Sequence, residues 1–249
     1  MPYHKNDLVV AGLLRGTFEP EEQHLMRTLL PYCRGMVDVG ANLGLYALLA
    51  SRLMPPNAPI AAFEASPIEY AKLAWTIHRN QLANVQAVAA AASDKDGRAT
   101  IHQSLSGAGA LNRLDRAAKS SGQWEQVEVP MLTLDTWAGL HPGITVDLLK
   151  IDVEGHELPV LMGADDLIRR FRPVVLIEVN AARASERSTP SQIWDYLAVR
   201  GYRWFAIDEG KAQVRQVTKP GDCVNYLAAP VEPLANARLN EALSGLLLG

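Results

Sequence analysis

"VDVGANLG", residues 37 to 44, sets a short β-branched run directly against a glycine turn. Val37 to Val39 read as a strand. Gly40 lets the chain turn tightly, and Gly44 opens the helix carried by "LGLYALLASRLM" (43–54), which Pro55 and Pro56 stop. The same strand–helix alternation continues on either side. "PIAAFEAS" (59–66) is a second strand, and "PIEYAKLAWTIHRNQ" (67–81) is a helix opened by Ser66 and Pro67. "VQAVAAAAS" (85–93) reads as a third strand from its position, although its alanines favour helix. "DLLKIDV" (147–153) and "PVVLIEVN" (173–180) are further buried strands, with "ELPVLMGADDLIRRF" (157–171) as one helix between them. "PSQIWDYLAVRGY" (190–202) is a helix stopped by glycine, and "RWFAID" and "CVNYLAAP" close the pattern as a hairpin. Strands alternating with helical stretches predict an α/β fold, a mostly parallel sheet with helices on both faces.

The rest of the chain fits around that unit. Residues 1–34 form a helical lead-in, since "EPEEQHLMRTLLPYC" has helical spacing; 35–230 form the main domain, and 231–249 a C-terminal amphipathic helix. Within the domain, 98–134 read as an insertion. There "RATIHQS" and "QVEVPMLTLD" alternate like edge strands around a loose loop at 104–124, and such loops often meet substrate. A chain of 249 residues that is 48% hydrophobic buries a proper core. Its net charge of -3, with no basic cluster, argues against nucleic acid as a partner. Cys33 and Cys223 lie far apart, which excludes a cysteine-rich zinc site and fits a reducing compartment. No stretch approaches the roughly 20 apolar residues of a membrane span, and the N-terminal apolar run is too short for a signal peptide. The expectation is a soluble cytoplasmic protein.

Chemistry gathers at strand ends. A dinucleotide fingerprint reads GxGxxG, but Asn42 stands where its second glycine makes room for a pyrophosphate. A nucleoside with a charged amino-acid tail fits that turn better, and Glu64, ending the second strand, is placed to accept both ribose hydroxyls. The other polar strand end is "LLKIDVEGHE" (148–157), where Asp152, Glu154, His156 and Glu157 crowd together. Strand alternation puts Asp152 and Glu154 on one side, and His156 has the near-neutral pKa expected of a base. A histidine at a helix start also serves simply as a cap. His102 and His141 are weaker candidates, and His4, His24 and His78 read as surface residues. The "GHELP" stretch is no metalloprotease signal, since a second histidine at i+4 is missing.

"VDVGANLGLYALLA", "FEASPIEYAKLAWTIHRN", "SDKDG" and "LLKIDVEGHELPVLMGA" together resemble the FkbM family of S-adenosylmethionine-dependent methyltransferases, from about residue 16 to 180. The resemblance implies a Rossmann-like class I methyltransferase fold with a seven-stranded sheet, and methyl transfer, most often to a hydroxyl oxygen. It places Asp38, Gly40 and Asn42 on the methionine part of the cofactor, Asp38 through the ammonium group, with Gly44 opening the helix behind them. It places Glu64 on the ribose, Ser93 and Asp94 beside the adenine, and Asp152 facing the transferred methyl. Asp152 and His156 are then the expected catalytic pair, with Glu178 in support, and a small-molecule hydroxyl, of a natural product or sugar, the acceptor. Some Rossmann-like O-methyltransferases bind Mg²⁺ through acids at two neighbouring strand ends. Asp152 with Glu178 and Asn180 matches those places, but Glu178 can equally pair with Lys150, and the resemblance requires no metal. Two rivals remain. An NAD-linked oxidoreductase is disfavoured by Asn42, and a non-catalytic module with a decayed pocket by the presence of Asp38, Glu64 and Asp152 together.

Overall fold

The computed structural model describes residues 8–105, 124–208, 213–221 and 224–248. Most of the expected acceptor loop at 104–124, with His4 and Cys223, lies outside them. Two helices lead in, α1 (Leu8–Arg15) and α2 (Pro20–Leu29), with Pro20 in the first turn, where its missing N–H is harmless. Alternating units follow: β1 (Met36–Val39), α3 (Leu45–Leu53), β2 (Ile60–Phe63), α4 (Pro67–Asn80) and β3 (Val85–Val88). The Ser66 hydroxyl caps α4 by accepting from the Glu69 amide. Next come β4 (Ala91–Ala92), β5 (Gly97–Ser104), β6 (Trp124–Leu132), α5 (Leu134–Gly139), β7 (Leu148–Ile151), α6 (Glu157–Met162), α7 (Asp165–Phe171) and β8 (Val174–Glu178). The described chain ends with α8 (Pro190–Ala198), β9 (Tyr202–Asp208), β10 (Gln213–Val217), β11 (Asn225–Pro230) and α9 (Ala237–Leu248).

The main sheet runs β10-β9-β11-β8-β7-β1-β2-β3, parallel from β8 to β3 and antiparallel across β8, β11, β9 and β10. It has eight strands where seven were expected. The extra one is "QVRQV" on the outer edge, a short polar alternation with no apolar block to announce it. The closing hairpin is therefore β9–β10, and β11 returns between β9 and β8. The stretch 85–93 also divides. The Ala90 amide turns back to the Val88 carbonyl, and the chain leaves to form a second sheet, β4-β6-β5. The helix expected over 157–171 breaks into α6 and α7, because Gly163 presses its backbone on the Ser93 carbonyl. A Cβ there would stand 1.9 Å from that oxygen.

Strand alternation sorts the core into two layers. Val37 and Val39 face α5 to α8, while Met36 faces α2, α3 and α9. Leu239 and Leu243 of α9 are buried in the second layer against α2, worth on the order of 3–5 kcal/mol together. Asp147, just before β7, pins the same region. It accepts from the Arg34 amide and guanidinium at 2.8–2.9 Å and from Asn236 Nδ2 at 2.9 Å. No helix among the described residues is long and apolar enough to cross a membrane.

Candidate active site

Parallel register sets the site's charge. Asp38 and Lys150 are Cα partners across β1 and β7, so an acid and a base interrupt two buried strands side by side. Lys150 Nζ lies 3.2 Å from Asp152 Oδ2, two residues on along the same face, and 4.7 Å from the centre of the Tyr46 ring on α3. Burial opposes the charge on Lys150, but Asp152, Asp38 and Glu19 outweigh it and raise its pKa. Asp38 is sealed from solvent, and neither of its oxygens takes a well-formed hydrogen bond. Burial pushes it up to about 6, while Lys150 and the Ala47 amide hold it down.

Above these residues lies a cavity of about 270 Å³ at the carboxyl ends of β1, β2, β7 and β8. This is the crevice where the chain order of an open sheet reverses and ligands generally bind. Gly40 makes the approach possible, since a Cβ there would meet the Asp152 carbonyl oxygen at 1.8 Å. The Gly40 and Ala41 amides donate to the Phe63 carbonyl, closing the turn on β2. Glu64 continues from β2 and takes the Asn42 amide at 2.8 Å on one oxygen and the Ser66 amide at 2.9 Å on the other. Burial outweighs those two bonds and pushes Glu64 up to about 7. A carboxylate held this way keeps lone pairs for two more donors, such as a vicinal diol.

The far side of the cavity carries Asp152, Glu154 and Glu178, whose oxygens lie within 4.8 Å of one another. Burial and the neighbouring Asp152 charge push Glu178 up to about 9, so it keeps its proton and donates it to Asp152. Burial alone would raise Asp152, but Lys150 and that donated hydrogen bond hold it below the ordinary carboxylate range. Arg183 pairs with both Glu154 and Glu178, and Asn180 donates to Glu178 while capping the turn after β8. The trio is thus neutralised by Lys150, Arg183 and a proton. That balance fits a proton-holding pair better than a divalent-cation cage. Glu178 pairs with Arg183, and Lys150 with Asp152, instead of with each other.

The raised Glu178 has a sign that can be checked. An unfolded Glu178 loses its proton near pH 4.5 and the folded one near pH 9, so its burden on stability grows as pH rises between them. Glu178→Gln keeps a neutral donor for Asp152 and removes that burden. Its melting temperature relative to wild type should rise by roughly 10 °C between pH 5 and pH 8, since about three pH units at about 1.4 kcal/mol each give ~4 kcal/mol in a chain this size. A difference that does not change with pH rejects the protonated Glu178.

Other expected residues fall away from the cavity lining. His156 is buried, with Nε2 2.9 Å from the Ser93 hydroxyl, and neither residue lines the cavity. Ser93 also donates to Asp94, which pairs with Arg187 at 2.6 Å. These three tie the β4 end to the segments around 156 and 187; Phe63, Ala65, Ala90 to Ala92 and Ile101 wall that side of the cavity instead. Gly44 fits against α4, where a Cβ would strike Leu73 at 2.8 Å, and it does not line the cavity. Asp38 lies behind the lining. The polar lining residues not singled out from the sequence are Glu19, Tyr46, Arg183 and Asn225. For Glu19 a signal existed, an acid just before the proline that starts a helix; for Asn225 there was none.

Comparison with known proteins identifies the family and the fold. A family profile described as "Methyltransferase FkbM domain" matches residues 38–204. "Methyltransferase 1" of Beauveria bassiana (strain ARSEF 2860) is 29% identical over 146 residues, 53% of this chain and 58% of that protein. "Methyltransferase sdnD" of Sordaria araneosa is 33% identical over 163 residues, 55% of this chain and 62% of its own length. The chain therefore spans less than two thirds of these curated relatives. The solved O-methyltransferase from Bacillus cereus in complex with SAH shares the fold, with a TM-score of 0.52 at 13% identity over 90% of this chain and 86% of that chain.

Proposed function

The chain belongs to the FkbM methyltransferase family, and from that premise we propose that it transfers the methyl group of S-adenosylmethionine to a hydroxyl oxygen of a small molecule. One observation carries the reading: strand-end acids converge on a single cavity, with Glu64 after β2, Asp152 after β7 and Glu178 on β8. Glu64, fixed by the Asn42 and Ser66 amides, suits a ribose diol at one end. At the other end Glu19 adds an acid beyond the trio that Lys150, Arg183 and the Glu178 proton neutralise, which suits positive charge on a ligand. When bound, S-adenosylmethionine supplies an electrophilic methyl on a positively charged sulfur. Asp152 Oδ takes the proton of an acceptor hydroxyl, and Glu178, keeping its own proton, orients Asp152 and limits the build-up of charge. His156 has no part in this scheme, because its ring nitrogen is turned to Ser93.

Calorimetry of the wild-type protein should show binding of S-adenosylmethionine and S-adenosylhomocysteine and none of NAD. The opposite pattern overturns the reading in favour of a hydride-transfer enzyme. With a hydroxyl acceptor identified by screening for S-adenosylhomocysteine release, Asp152→Asn should lower turnover by roughly 10²–10⁴. Its affinity for S-adenosylhomocysteine should stay within about threefold of wild type. Retained turnover in that variant removes Asp152 as the base.

A further inference from the structure

We propose that Glu19, at the start of α2, receives the ammonium of the cofactor's amino-acid tail, a role that the family resemblance gives to Asp38. The inference rests on reading the cavity as an S-adenosylmethionine site. Four acids act on Lys150: Asp152, Asp38 and Glu19 and, more weakly, Glu22, which does not line the cavity. With Lys150 paired to Asp152, burial leaves Asp38 up at about 6 and Glu19 at about 7, acids short of a counter-charge that a second positive group in the cavity would supply. Asp38 is the member least able to meet it. Its register partner is Lys150 itself, and it is fully buried behind the cavity lining. Asp152 lines the cavity but is held by Lys150 and by the Glu178 proton.

Glu19 is different. It lines the cavity, and the hydrogen bond given to it comes from the neutral Tyr46 hydroxyl. It stands at the N-cap of α2 in the left-handed region, φ 43, a conformation unfavourable for a residue with a side chain. Its carboxylate makes no cap bond to its own helix; it is aimed across at Tyr46 and the cavity. Tyr46 lies on α3, the helix that follows the Gly40 turn, and its ring also covers Lys150. The lead-in thus delivers an acid to the β1–β7 side of the cavity, away from Glu64, where an amino-acid tail extending from the nucleoside would lie.

The test compares two ligands by calorimetry. One is S-adenosylhomocysteine; the other is its deaminated homologue, which keeps the nucleoside, the thioether and the carboxylate. Glu19→Gln retains an oxygen for the Tyr46 proton and removes only the charge. It should weaken S-adenosylhomocysteine by about tenfold or more, leave the deaminated ligand within about twofold, and so erase the wild-type preference between them. Equal weakening of both ligands, or of neither, overturns the assignment. So does Asp38→Asn if it alone erases the preference. If the wild-type protein binds neither ligand, the cofactor reading itself fails, an outcome distinct from loss of the Glu19 effect.

Discussion

Gly40→Ala is expected to leave little folded protein. The new Cβ would stand 1.8 Å from the Asp152 carbonyl oxygen, a backbone atom that cannot swing aside as a side chain can. Gly40 also sits at φ 80, where an L-residue is strained by roughly 1–2 kcal/mol before any clash. Relief requires the ends of β1 and β7 to part, yet the Asp152 amide is bonded to the Val39 carbonyl and the Gly40 amide to Phe63. Together these should exceed about 4 kcal/mol, seen as insoluble protein or a melting temperature lower by at least ~8 °C. Gly139→Ala is the control, since no atom lies within 4 Å of its Cβ position, and it should melt within about 2 °C of wild type. A Gly40→Ala protein as stable as that control contradicts the close approach of the two strand ends.

Glu64→Ala is expected to abolish most nucleoside binding. Its carboxylate does two things at once: it satisfies the buried Asn42 and Ser66 amides, and it offers its remaining lone pairs to the cavity. Truncation leaves two amides without an acceptor, each worth about 1–3 kcal/mol, and loosens the turn after β1. On the proposed reading, two charge-assisted hydrogen bonds to a ribose diol are lost as well. The affinity for S-adenosylhomocysteine should fall by roughly 10²-fold or more, and for adenosine in the same proportion, because the loss lies at the sugar. Glu64→Gln keeps one acceptor oxygen and should lose about tenfold. Binding at wild-type strength in Glu64→Ala would show that the ribose is held elsewhere.

Both residues were legible in the sequence. A glycine directly after a buried strand, and an acid ending the next one, can be read without a structure because each answers a local need, tight turning or a charge at a strand end. The same logic placed Asp152 and Glu178 at the strand ends that line the cavity. It failed where the need is not local. His156 sits two residues after Glu154 in the chain, but Glu154 and Gly155 both take positive φ, and the chain turns so that the histidine faces Ser93. Strand alternation, carried past the end of β7, could not anticipate that. The break between α6 and α7 depends on a carbonyl seventy residues away, and β10 on a sheet edge formed by β9. Glu19 belongs to the same class, since only the fold of α2 over α3 brings it to the cavity.

The Asp147 clasp joins what the chain separates. One carboxylate holds the last residue of the lead-in, Arg34, and the segment opening α9 through Asn236, and Leu239 and Leu243 seal α9 onto α2. The first and last helices of the second core layer therefore open and close as one cooperative unit, although some two hundred residues lie between them. Because α2 also presents Glu19 to the cavity, whatever loosens α9 slackens one wall of the pocket, and a tightly held ligand in turn fastens the far end of the chain.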